Sequence, residues 1–305
     1  MMLFLPYRPD IGLDQLPFVT ILVCLVCLLI YVDQVSNEDK VIAASQEYCQ
    51  QDKPLMFKLV LESSVGKSDE AACTSVLGYI HTAEDKQLAI SQIAYSGDVI
   101  TGYSKKKSEY YISATLSDQY GAFAILVPPY TTQRLWYEPA SWNWKTMISA
   151  SFAHDSWMHL LGNLFFFFAF AAAVEMIIGH MRFSIVVISL ALGTHVFYSL
   201  AMLGVENAPP TVGLSGVVMG MMAMFAFFLP AGRIRCLVFF IEFNIPAWLL
   251  LGGYVGWNVF ELLLDEGQSS INFVTHISGA VIGFTIGMIL FRKRRREIAA
   301  MVKAQ

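Results

Sequence analysis

The chain has 305 residues, a formal net charge of −4, 56% hydrophobic residues and only 14% charged ones. Its length allows two domains, but this balance excludes an ordinary soluble globular chain, and no feature points to a nucleic-acid partner. The skew has a local source in six long apolar runs.

The runs cover residues 16–32, 160–178, 183–203, 211–230, 245–264 and 271–291. Each approaches the roughly 20 residues needed to cross a bilayer, so a lipid bilayer is the expected surrounding. The first run has the look of a signal-peptide core, but Arg8 is a thin basic start and no small-residue cleavage site follows Tyr31-Val32-Asp33. It reads as a retained transmembrane helix.

Between the first and second runs the composition turns polar, with Glu38-Asp39-Lys40, Lys67-Ser68-Asp69-Glu70 and Lys105-Lys106-Lys107. Enough apolar residues remain for this stretch to fold. Residues 69–94 read weakly as one helix, with Val76, Leu77, Ile80, Leu88 and Ile93 for burial. Residues 110–127 alternate more and read as strand or as irregular packing on the membrane surface. Pro128-Pro129 then breaks the chain. Cys49 and Cys73 either pair, closing a loop, or stay free; Cys24, Cys27 and Cys236 read as small apolar fillers in or beside spans. The expected organisation is an N-terminal segment and first span over 1–33, an insertion over 34–140, a membrane core over 141–291 and a basic tail over 292–305.

Lys and Arg set the expected orientation. One side collects Arg8, Arg182, Arg233, Arg235 and the run Arg292-Lys293-Arg294-Arg295-Arg296, while the short loops opposite hold Glu206 and Asp265-Glu266. That asymmetry fits an even number of spans with both termini cytoplasmic. The expectation is a multi-pass protein of a bacterial inner membrane, with the insertion and any site near the opposite ends facing the extracytoplasmic side. The terminal basic run is a topology anchor, with a lipid-headgroup site as the alternative.

Polar residues inside spans are expensive, so each needs a reason. By the helical rise, Asn163 lies roughly 28 Å above Arg182, Ser215 roughly 27 Å above Arg233, and His276 roughly 24 Å above Arg292. Three independent spans therefore bring polar groups to one level. Equal depth does not establish that they face each other.

Ser215 sits in Gly213-Leu214-Ser215-Gly216. Taken alone it suits small-residue helix packing better than chemistry, because Gly216 and Gly220 make a G-x-x-x-G pair. The functional reading needs glycines for close backbone approach and a base for the hydroxyl proton. His276, in Thr275-His276-Ile277-Ser278-Gly279, supplies a base, although a lone histidine also suits a packing role. His159 and Asn163 are four apart and share one helical face, which suits donors aimed at a developing oxyanion. Asn163 otherwise ties two helices together. Glu175, near the basic end, reads as structural, accepting hydrogen bonds or pairing with an arginine.

His159-Leu160-Leu161-Gly162-Asn163 followed by aromatics and Ala-Val-Glu175, then Gly213-Leu214-Ser215-Gly216 with Gly220, then Thr275-His276 with Gly279 and Gly283, resemble the three signature segments of rhomboid proteases. The likeness covers roughly residues 142–291. Residues 142–157, with Ser151-Phe152-Ala153-His154, are similar to the family's first-loop stretch. The resemblance implies an all-α polytopic fold of six transmembrane helices around a water-filled cavity, carrying here a large insertion between helices 1 and 2. It implies an intramembrane serine endopeptidase acting on transmembrane protein substrates through a Ser–His dyad, with no cofactor and no metal. By position, Ser215 is nucleophile, His276 base, and His159 and Asn163 stabilise the oxyanion. Gly213 and Gly216 are motif glycines; Gly279 and Gly283 are structural.

Two departures stand out. A bacterial subgroup has Tyr four residues after the nucleophile, where this chain has Met219, and the insertion exceeds the family's usual loop. The alternative reading is a non-catalytic rhomboid-like protein that binds and routes membrane proteins. Such relatives usually lack the serine or histidine, and this chain keeps both. A transporter would need paired broken helices or several buried charges.

Overall fold

The computed structural model describes residues 5–9, 16–83, 85–205, 208–238, 241–264 and 271–304. Along the chain run β1 (Leu5–Pro9), α1 (Phe18–Gln50), α2 (Leu55–Val65), α3 (Glu70–Thr82), α4 (Lys86–Ser96), α5 (Lys105–Leu126) and α6 (Thr131–Leu135). Then come α7 (Trp144–Ala150), α8 (Trp157–Ile178), α9 (His180–Ala201), α10 (Ser215–Phe228), β2 (Arg233–Val238), β3 (Ile241–Pro246), α11 (Ala247–Leu264), α12 (Phe273–Leu290) and α13 (Arg292–Ala304). They divide into two compact units, Met1–Tyr31 with Leu135–Gln305, and Val32–Arg134.

The first unit is a helical membrane bundle. Among the described residues five helices, α1, α8, α9, α11 and α12, are long and apolar enough to span a bilayer. The remaining apolar run, residues 211–230, yields the shorter α10, 14 residues that start only at Ser215. Gly213 explains the delay: its φ of +122° is open to glycine and strained for other residues, so the chain turns before the helix begins. Another positive-φ glycine, Gly179 (φ +83°), ends α8 and lets α9 start at once.

α10 is the centre of the bundle. Every residue from Gly216 to Phe228 is buried, and the helix's most extensive partner is α12. Small residues make that pairing possible. A Cβ at Gly279 would overlap the backbone carbonyl of Gly216, and one at Gly283 would overlap that of Gly220. Two helices this close gain dispersion along their whole contact, the main attraction available where lipid is as apolar as the side chains.

The bundle departs from a purely helical reading in one place. β1, β2 and β3 form a three-stranded antiparallel sheet in that order, with Arg233 opposite Pro246 and Val238 opposite Ile241. The sequence Ile241-Glu242-Phe243-Asn244-Ile245 alternates apolar and polar residues, the period of a strand. Glu206, Asp265 and Glu266, which bear on the orientation, lie outside the described residues.

The second unit is a small helical domain whose core includes Phe57, Leu61, Leu77, Ile80, Ile112, Leu116 and Phe123. Residues 69–94 form two helices, not one: Asp85 caps α4 by accepting from Gln87 and Leu88 N–H. Residues 110–127 are not strand; they lie within and just past α5. Ile112, Leu116 and Phe123 are buried at spacings of four and seven, a helical period that outweighs the local alternation. Cys49 and Cys73 are disulfide-bonded, with Cα atoms 5.8 Å apart.

Glu175 ties α8 to the start of α1. Its fully buried carboxylate accepts from Val19 N–H (2.8 Å), Thr20 N–H (2.7 Å) and the Thr20 hydroxyl (2.6 Å). The His180 ring donates to it from Nδ1 at 2.5 Å. It thus supplies acceptors to first-turn amides that have none within α1, at the end of the helix where negative charge is favoured.

Candidate functional site

The site begins where α8 begins. Ser156 caps the helix by accepting from His159 N–H. His159 and Asn163 then project from the same face one turn apart. The His159 ring donates from Nδ1 to Asp155 at 2.8 Å, and a Cβ placed on Gly213 would lie 2.7 Å from its Nε2. The same Cβ would lie 3.6 Å from Asn163 Nδ2. The missing side chain at Gly213 is therefore the space that lets both polar groups approach the turn before Ser215.

Two further contacts hold this turn. Gly213 N–H donates to Ala150 O at the end of α7 (2.8 Å), and Thr211 pairs with Tyr137 through two backbone hydrogen bonds of 3.0 Å. Tyr137 is itself buried, hydrogen-bonded to Ser199 and packed edge-to-face on His195. Ser215 opens α10, so its N–H belongs to the first turn, which has no acceptor within the helix.

Asn163 is only 7% exposed, and its Nδ2 has no hydrogen-bond partner among the described residues. A buried amide left this way is unusual, since most such groups are satisfied.

His276 stands in the first turn of α12. Asn272 caps that helix by accepting from Thr275 N–H at 3.1 Å. A Cβ on Gly216 would lie 3.1 Å from Thr275 O, and Gly279 abuts Gly216. The residue after Ser215 thus touches the residue before His276, which brings the two helix starts together. From α11, Asn258 Oδ1 lies 2.7 Å from His276 Nδ1. Met219 occupies a buried position one turn after Ser215.

His154, in the loop before α8, is buried and packs edge-to-face on His159 with ring centroids 5.2 Å apart. Burial, then the neighbouring His159, pushes its pKa down to about 4. Asp155 is held below the usual carboxylate range, chiefly by the hydrogen bond from His159.

Asp155 and Asn258 are the polar partners that the sequence reading missed. Each had a signal: Asp155 lies four residues before His159, and Asn258 is an amide inside an apolar run.

The family model for the Rhomboid domain matches residues 141–293. Rhomboid protein 1, mitochondrial, of Saccharomyces cerevisiae is 24% identical over 163 residues, 51% of this chain and 45% of the relative. The human presenilin-associated rhomboid-like protein, mitochondrial, is 23% identical over 155 residues, 50% of this chain and 40% of the relative. Rhomboid-like protein 11, chloroplastic, of Arabidopsis thaliana is 25% identical over 162 residues, 48% and 52% of the two chains. The chain thus spans about half the length of the curated relatives it matches.

These relatives correct the expected location. Charge asymmetry separates the two sides of a membrane but does not identify which membrane it is, so it gives the expected bacterial inner membrane no support. The relatives carry mitochondrial and chloroplastic names, which contradicts that expectation. With a domain match over half its length, covering every residue from α7 to α12 that builds the site, the chain belongs to the rhomboid family.

Proposed function

We propose that the protein is an intramembrane serine endopeptidase that cleaves transmembrane segments, with Ser215 as nucleophile and His276 as general base. The observation that carries this reading is Asn163 Nδ2, a buried donor with no partner among the described residues, beside the Gly213 turn that leads into Ser215. An unmet N–H is a cost in the resting protein that a substrate oxyanion would relieve, and such donors act where charge develops.

The chemistry follows from the atoms. Ser215 Oγ attacks the scissile carbonyl as its proton passes to His276 Nε2, and the carbonyl oxygen takes up negative charge. Asn163 Nδ2–H and the Ser215 N–H supply donors to it. His159 commits Nδ1–H to Asp155, so its Nε2 offers a hydrogen only in the imidazolium form. Collapse sends the His276 proton to the leaving amine, and water then releases the acyl group from Ser215. A helical peptide bond is shielded, so substrates are expected to carry small or helix-breaking residues at the cut. The relatives named for mitochondria and chloroplasts support an organellar membrane as its setting.

The test is cleavage of a reporter transmembrane substrate by the full chain in liposomes, beside Ser215→Ala and His276→Ala. Loss in both variants is expected. Retained cleavage in either overturns the dyad, and no cleavage by any form across a broad substrate panel favours a binding role.

A further inference from the structure

We propose that Asn258 is a positioning residue that fixes the tautomer of His276 and aims its Nε2; the inference rests on the dyad proposed above. α11 is the least buried of the candidate spans, and of its described residues only Ala247, Leu250 and Asn258 are buried. Trp257 and Val259, on either side, are exposed. A buried amide in an apolar span needs a reason.

Its two ends have different partners. Nδ2 donates to Tyr254 O, one turn earlier, at 2.8 Å, and Oδ1 lies 2.7 Å from His276 Nδ1. A backbone carbonyl can only accept, so the Tyr254 contact determines which end of the amide is NH2. The oxygen must then face His276, and an amide oxygen can only accept as well. The proton is therefore on Nδ1, which leaves the Nε2 lone pair for the Ser215 hydroxyl. The Tyr254 ring packs edge-to-face on Phe166 of α8 (5.6 Å), so the orienting carbonyl belongs to a braced turn. Asn258 thereby acts as the third group that orients a base, with a neutral acceptor in place of a carboxylate.

Two measurements test this. The first needs no catalysis: nitrogen-15 NMR of histidine-labelled full chain, above the histidine titration range, with His276 assigned by its loss in His276→Gln. The Nδ1–H tautomer is expected in the wild type, shifting toward Nε2–H in Asn258→Leu. A wild-type Nε2–H tautomer overturns the proposal, even if Asn258→Leu fails to fold. The second is reporter cleavage. Asn258→Leu should lower kcat on the order of 10²-fold with KM nearly unchanged, and Asn258→Asp, which keeps the acceptor, should recover most of it. Full activity in Asn258→Leu, or a folded Asn258→Asp as inactive as Asn258→Leu, also overturns it. If the wild type shows the Nδ1–H tautomer yet cleaves nothing, the protease reading fails while the assignment of the His276 tautomer stands.

Discussion

Gly279 of α12 lies so close to Gly216 of α10 that a Cβ at position 279 would occupy the Gly216 carbonyl oxygen. Backbone, not a flexible side chain, fills that space, so any substitution must move a helix. Gly279→Ala should destabilise the bundle by about 2–3 kcal/mol and abolish reporter cleavage, because the displaced segments carry Ser215 and His276. Gly252→Ala is the matched control: open space surrounds that position, and the helix gains propensity. Thermal unfolding of both variants in one detergent makes the comparison.

Asn163→Ala should separate stability from activity. The Nδ2 lacks a partner among the described residues, so its removal leaves stability nearly unchanged. The loss of one oxyanion donor should lower kcat by roughly 10²–10³-fold. A large fall in melting temperature alongside the kinetic loss would show that Asn163 is instead a structural tie.

Glu175→Ala should do the reverse. It deprives the first turn of α1 of its acceptors and leaves Thr20 and His180 without their partner. The expected cost is about 2–4 kcal/mol, with the chemistry unaffected in the fraction that remains folded. Cleavage normalised to folded protein, set against thermal unfolding, reads both quantities.

His154 introduces acid sensitivity. Its native pKa of about 4 lies below the ordinary value of 6.5, so the unfolded chain binds a proton that the native loop refuses. Stability from this residue is intact above about pH 6.5 and falls as pH drops toward 4, by up to about 3 kcal/mol. His154→Gln should flatten that part of the profile, measured as unfolding midpoint against pH relative to the wild type.

The Cys49–Cys73 bridge closes a loop with a sequence separation of 24. Its loss in the Cys49→Ser, Cys73→Ser double variant should cost the small helical domain about 3 kcal/mol. Limited proteolysis should then cut within residues 32–134 at temperatures that leave the wild type intact, and a reductant should reproduce the effect.

Much of the molecule was legible without coordinates. Long apolar runs mark spans because each must satisfy its backbone within itself, and polar residues within them stand out because burial in lipid is costly. Ser215, His276, Asn163 and His159 were visible on those grounds. The insertion was less legible: alternation over residues 110–127 imitates a strand, and only burial of Ile112, Leu116 and Phe123 together reveals the helix.

The sequence alone determined a polytopic helical chain with polar residues at one level on separate spans, because hydropathy and helical rise are local properties. Only the tertiary structure decided which spans meet. Gly216 and Gly279 are 63 positions apart, and nothing in either neighbourhood specifies the other; close approach is a property of two surfaces at once. The same holds for Asn258, whose amide points at His276 only because Tyr254 O occupies its other end.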